Sequence, residues 1–173
     1  KYQPKYEGCE LMINTCSGLG FKHNTPISLC VFSDEVKTMG RLSNIKSVNA
    51  AVSVLGAIHA KEKGFKNAIL MNTKGSYIEA TNSSLFIIKD NIIYTPPLSD
   101  GCIDGTMRAW VLNNDKLIQK SLSLREVKQS DEVFITNAIT GITSVNLFEE
   151  TIYADFNYAN KLQNKLISSG LDL

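Results

Sequence analysis

Apolar residues fall into two patterns along this chain. The first is the short continuous run bounded by turn-forming residues, at 27–32 (ISLCVF), 67–71 (NAILM), 77–80, 85–89, 92–95 and 132–136 (EVFIT). Runs of this length, rich in Val, Ile, Phe and Tyr, predict strands. Lys74-Gly75 and Asp90-Asn91 punctuate them, because glycine and asparagine tolerate the positive φ of tight turns. The second pattern is spacing by three and four. Val48, Ala51, Val52, Leu55 and Ile58 recur with a helical period, which predicts a helix over 47–63 with Gly64 after Lys61 and Lys63 as its stop. Met107, Val111 and Leu112 predict another over 105–117, and the amphipathic tail 156–166, closed by Gly170, a third.

The remaining stretches read as connections. Residues 33–43 are a polar connector, Pro96 and Pro97 end the strand-rich region, and a turn is expected around Gly141. Residues 1–8, with Pro4 and little periodicity, read as a linker. Strands alternating with helices through short loops predict an α/β (α+β) domain. No internal repeat or low-complexity segment appears.

Composition narrows the function classes. A chain of 173 residues, 43% hydrophobic, buries one sizeable core. Lys+Arg at 18 against Asp+Glu at 17 leaves no basic stripe for a phosphate backbone, so nucleic acid is not an expected partner. No apolar run approaches the ~20 residues of a membrane-spanning helix, and no leader pattern precedes the fold. The expectation is a cytoplasmic protein without a membrane partner. Cys9, Cys16, Cys30 and Cys102 form no C-x-x-C pair and are expected to be free thiols. With only His23 and His59, metal sites and Ser-His-Asp machinery are poorly supplied, and no metal is expected.

Four places carry candidate chemistry. Lys46 stands at the start of the predicted 47–63 helix among small and polar residues; it is either solvated there or, if shielded, a nucleophile toward carbonyls. Glu79 lies between a strand and the polar string Thr81-Asn82-Ser83-Ser84, as an exposed turn carboxylate or one aimed at a ring nitrogen. Gly105 precedes a predicted helix, whose first-turn amides can receive a phosphate. Asn137-Ala138-Ile139-Thr140-Gly141 offers a second turn of amides after a strand.

Taken in order, these segments resemble one family. They are Lys46-Ser47-Val48-Asn49, Glu79 with Ser84-Leu85-Phe86, Thr95-Pro96-Pro97-Leu98, Ile103-Asp104-Gly105-Thr106-Met107-Arg108, and the run from Glu132 to Ala138. Over roughly Ser43 to Val145 the chain resembles the class IV aminotransferases, the pyridoxal 5'-phosphate (PLP) enzymes of fold type IV. That family includes branched-chain aminotransferase, D-amino-acid aminotransferase and 4-amino-4-deoxychorismate lyase. The resemblance implies a D-amino-acid aminotransferase-like fold, of which this chain would be the barrel-like C-terminal cofactor domain at 34–173, with 1–33 as inter-domain linker and entering strand. The N-terminal domain, expected to bring a phosphate-binding arginine, would lie outside it.

The resemblance also implies roles. Lys46 would hold the cofactor as a Schiff base and shuttle the proton. Glu79 would pair with the pyridine nitrogen, Ile103 would pack on the ring face, and the amides of Thr106 and Met107 after Gly105, with Asn137 and Ala138, would hold the phosphate. Arg108 is expected to be structural. Two departures stand out: Thr106 replaces the usual Ile, and Asn137-Ala138 replaces the Ser/Gly-Thr of transaminases. With Met107, these lean the reading toward the lyase, which eliminates pyruvate to leave 4-aminobenzoate for folate synthesis. The alternatives are a branched-chain or D-amino-acid transaminase, or an inactive PLP-binding fragment. A homodimer is implied by resemblance alone.

Overall fold

The structure, a computed structural model, describes residues 8–15, 21 and 25–171. In chain order its elements are β1 (Ile27–Lys37), α1 (Ala51–Glu62), β2 (Asn67–Asn72), β3 (Tyr77–Ala80), β4 (Ser83–Lys89) and β5 (Ile92–Thr95), then α2 (Thr106–Asn114), β6 (Leu117–Gln119), α3 (Leu124–Lys128), β7 (Glu132–Asn137), β8 (Gly141–Phe148), β9 (Thr151–Ile152) and α4 (Asn157–Leu166). Six strands close into a barrel. β1 pairs in parallel with β2 and with β8, while β2–β3, β3–β4, β4–β7 and β7–β8 are antiparallel. β5 and β6 extend from β4, and β9 from β8.

Alternate residues explain the continuous apolar runs. Leu29, Ile69, Ala80, Leu85, Ile87, Val133, Ile135 and Val145 pack together in the barrel. Their neighbours Phe86, Ile88 and Phe134 point the other way and are covered by Val111 of α2 and by Ala159 and Leu162 of α4. The Phe86 and Phe134 rings stack with centroids 4.8 Å apart, a geometry worth roughly 0.5–1.5 kcal/mol beyond area burial. On the opposite flank, Cys30, Phe32, Ala68 and Leu70 are covered by Val52 and Ala60 of α1. A strand buried on both faces has no polar face to alternate with.

Most predicted elements form, with shifted limits. β1 does not stop at Phe32 but runs to Lys37, because after a break in register Lys37 pairs with Asn72. It therefore lies on both sides of residue 33. The helix expected from 47 begins at Ala51: the Asn49 amide bonds the Ser47 hydroxyl at 3.3 Å and the Ala50 amide bonds the Val48 carbonyl at 2.9 Å, local bonds that compete with helical ones. Lys46 is thus in a loop, not at a helix start. Among the periodic apolar residues of α1, Val52 packs on the barrel beside Gly56 and Ala60, but Leu55 and Ile58 face outward, 45% and 49% exposed. The helix expected over 105–117 ends at Asn114, and Leu117 instead opens β6. β8 replaces what was expected to be only a turn at Gly141, and α3 is an addition, started by a capping box between Ser123 and Glu126. Cys9, Cys30 and Cys102 are free thiols; Cys16, His23 and residues 1–7 lie outside the described residues.

Two stability predictions follow from this packing. A Cβ on Gly56 would stand 2.9 Å from Leu70 Cδ2, 3.1 Å from Thr81 Cγ2 and 3.4 Å from Phe32 Cδ1, so Gly56→Val is expected to lower the unfolding free energy by roughly 1–3 kcal/mol in urea titrations. The Glu126 carboxyl is held far below its ordinary 4.5, at about 2, chiefly by hydrogen bonds from Lys120 and Ser123. A carboxyl depressed in the folded state adds stability that is complete above its unfolded value and is lost as pH falls through its folded one. The stability gap between wild type and Glu126→Gln should therefore shrink below pH 4.5 and vanish near 2; a pH-independent gap would contradict it.

Candidate active site

Glu79 organises this end of the barrel. On β3 it stands opposite Leu70 of β2 and Ser84 of β4, and it is only 4% exposed. A carboxylate so deeply buried requires charged or hydrogen-bonding partners. Its Oε1 accepts from the Lys37 ammonium at the end of β1, and its Oε2 accepts from the Ile103 amide at 2.7 Å. Ile103, half-buried, thereby ties the segment leading into α2 to the carboxylate.

Two residues on, Gly105 is the N-cap of α2 and supplies no side chain to bond the first-turn amides, which leaves the Thr106 and Met107 N–H groups free of a capping side chain. A Cβ at Gly105 would come within 3.1 Å of Ser84 Oγ, so any larger residue there would have to push the Ser84 hydroxyl aside for the helix start to sit this close to β4. Thr106 is exposed and Met107 buried. The Arg108 side chain, 2% exposed, donates to the Pro96 carbonyl and to Gln119 Oε1, both at 2.9 Å. It braces α2 against β5 and β6, in keeping with a structural role.

Lys46 is exposed, and its loop is fastened to the same segment by Asn44. The Asn44 side-chain amide donates to the Leu98 carbonyl at 2.8 Å and the Cys102 carbonyl at 2.7 Å, while the Asn44 backbone carbonyl accepts from the Asp104 amide at 3.0 Å. Asn137 ends β7, half-buried, and its side chain shapes the following turn: Oδ1 accepts from the amides of Ile139 at 2.9 Å and Thr140 at 2.8 Å, and Nδ2 donates to Ser83 Oγ at 3.0 Å. Ala138 in that turn is exposed. One residue earlier, Thr136 Oγ1 is buried without a partner among the described residues. Burial pushes the Cys102 thiol up to about 11, so this neighbour of Ile103 is no nucleophile at neutral pH.

Glu79 thus bonds the Ile103 amide and the Ile103 carbonyl accepts from the Gly105 amide at 3.0 Å, while Lys46 joins them through Asn44 and Asn137 through Ser83. Lys37 and Asn44 carry roles that the motifs did not point to. Lys37 gave no signal of its own, because it lies inside the 33–43 stretch that reads as a polar connector. A buried carboxylate, an uncapped helix start and a lysine-bearing loop at one barrel end fit a flat, phosphorylated, nitrogen-containing ring that carries a carbonyl.

The chain belongs to the amino-transferase class IV family, whose profile matches residues 15–148; the family's enzymes depend on PLP. It is 32% identical over 106 residues to a candidate branched-chain-amino-acid aminotransferase of Methanocaldococcus jannaschii, covering 58% of this chain and 37% of that one. It is 30% identical over 137 residues to the D-alanine aminotransferase of Bacillus licheniformis, covering 72% and 48%. Among solved structures, a candidate 4-amino-4-deoxychorismate lyase from Legionella pneumophila superposes with a TM-score of 0.77 at 26% identity, covering 84% of this chain and 56% of that one. The match thus spans between a third and a half of these curated relatives' lengths. Among the described residues no helix is long and apolar enough to cross a membrane.

Asn44→Ala would strand the Leu98 and Cys102 carbonyls without their donor. The expected cost is roughly 1–3 kcal/mol of stability, with faster hydrogen exchange at the Asp104 amide. Unchanged protection there would show that Asn44 does not hold the loop.

Proposed function

We propose that this chain holds the cofactor of a PLP-dependent transaminase acting on branched-chain or D-amino acids. The observation that carries the reading is the hydrogen-bonded unit formed by Glu79, Ile103, Asp104 and Asn44, which sets a carboxylate, an uncapped helix start and the Lys46 loop in one frame. The transaminase names of the M. jannaschii and B. licheniformis relatives favour this reaction over elimination. When bound, PLP supplies a conjugated sink for the electron pair left at the substrate Cα.

The protein's residues do the rest. Lys46 would hold the cofactor through its amine and, once free of it, would carry the proton to and from the substrate Cα. Glu79 would accept from the ring nitrogen and favour its protonated form, and Ile103 would pack against the ring. The amides of Thr106, Met107, Asn137 and Ala138 receive the phosphate, with Gly105 allowing the close approach. The buried Thr136 hydroxyl offers a spare donor beside that turn. The domain limits at 33/34, a cytoplasmic setting and a homodimer belong to the same proposal; a monomer by mass measurement at working concentration would count against the dimer.

A second reading, the 4-amino-4-deoxychorismate lyase, is favoured by Thr106-Met107 and Asn137-Ala138 in place of the transaminase pattern and by the likeness to the Legionella protein. Glutamate formed from an amino acid and 2-oxoglutarate supports the transaminase; pyruvate released from aminodeoxychorismate without glutamate formation supports the lyase. Either is preceded by a direct check of the site. The purified protein with PLP is expected to show a visible absorption band that Lys46→Ala abolishes. A band that survives the substitution refutes Lys46 as the anchor, a wild type that never acquires one refutes the cofactor reading, and a band without turnover identifies an inactive PLP-binding protein.

A further inference from the structure

Lys37 belongs to none of the motifs, yet its ammonium is one of the two donors found on Glu79. Its side chain is 16% exposed and that of Glu79 5%. A shielded ion pair is weak evidence of stabilisation, because desolvating both charges offsets much of their attraction. What distinguishes this pair is the carboxylate it engages, the one assigned above to the cofactor's ring nitrogen.

An ionised carboxylate only accepts, and its two oxygens offer about four lone-pair sites. Lys37 takes one site on Oε1 and the Ile103 amide one on Oε2. The two donors come from different parts of the chain, the end of β1 and the segment before α2, so together they hold the plane of the carboxylate and leave sites free for a third donor. The ring nitrogen of PLP lies para to the carbon that bears its aldehyde. A lysine seated on Glu79 is therefore across the ring from the carbon that Lys46 engages, and the two lysines have separate duties.

We propose that Lys37 is a positioning residue which, with the Ile103 amide, orients Glu79 so that a free lone pair of its carboxylate meets the ring N–H of PLP. This rests on the assignment of Glu79 made under the proposed function. Without Lys37 the buried carboxylate loses its only cationic partner among the described residues and either rotates away within the barrel or turns out toward water. In both cases the ring nitrogen is left without its acceptor.

The test titrates two aldehydes into the full chain: PLP, and its analogue with a ring C–H in place of the ring nitrogen. Hydrogen bonds to charged groups are worth roughly ten- to hundredfold in affinity, so Lys37→Met is expected to weaken PLP by about tenfold or more while leaving the analogue unchanged. Lys37→Arg, which retains a cationic donor, is expected to recover most of the PLP affinity. The visible band at saturating PLP should persist in both variants, because Lys46 is intact. If Lys37→Met fails to fold, Lys37→Gln provides the same comparison. Equal weakening of both ligands indicates a merely structural lysine and overturns the proposal, as does equal retention of both. If the wild type binds neither ligand, the cofactor reading falls and this proposal falls with it; if it binds both and only the Lys37 variants behave alike toward them, the cofactor reading survives and the role of Lys37 does not.

Discussion

The burial of a single carboxylate governs this end of the molecule. A charged oxygen pair withdrawn from water needs hydrogen-bond donors close at hand, and Glu79 finds them in two parts of the chain distant in sequence, Lys37 and the Ile103 amide. Meeting that requirement fixes the end of β1 and the approach to α2 relative to β3. Asn44 extends the same hydrogen-bonded frame to the loop that carries Lys46. Polar bonding rather than apolar packing sets the local geometry, which suits a site that must direct a few donors and acceptors at a small molecule.

The barrel beneath supplies rigidity. Six strands in a closed ring leave no free edge among themselves, and each of the central ones is buried on both faces, inward against the other strands and outward under α1 or under α2 and α4. Candidate site residues sit where strands end and loops begin: Glu79 one residue from the end of β3, Asn137 at the last position of β7, and Gly105 at the start of α2. A well-packed scaffold with its chemistry at element ends combines precise placement with tolerance to changes in substrate. Membership of one family by proteins named for branched-chain substrates and for D-alanine accords with that.

α1 shows where pattern and packing part company. Its three-and-four apolar spacing is real, but Leu55 and Ile58 are on the outer surface and the barrel is met by Val52, Gly56 and Ala60. The reason is distance: Leu70, Thr81 and Phe32 come so close to the Gly56 backbone that a larger residue there would collide. Periodicity identifies a helix and its apolar stripe, whereas contact depends on which stripe is narrow enough to approach a strand already carrying Phe and Leu. β8 was hidden for a related reason. Gly141-Ile142-Thr143-Ser144 mixes small polar residues into a strand that only its pairing with β7 and β1 makes regular.

By itself the sequence determined the mixed α/β class, the existence of β1, β2, β3, β4, β5, β7, α1, α2 and α4, and the family, because apolar runs, turn residues and motif order are local properties of the chain. It also singled out Lys46, Glu79, Gly105 and Asn137 as residues to watch. Tertiary structure alone decided that the strands close into a ring, that Lys46 stands in a loop rather than at a helix start, and that Lys37 and Asn44 belong with the candidate site. Those facts depend on groups separated by tens of residues meeting in space: Lys37 reaches Glu79, and Asn44 reaches Cys102, only after β1 has joined β2 and β3 has joined β4. No spacing within one segment encodes such a meeting; burying a charge where several segments converge does.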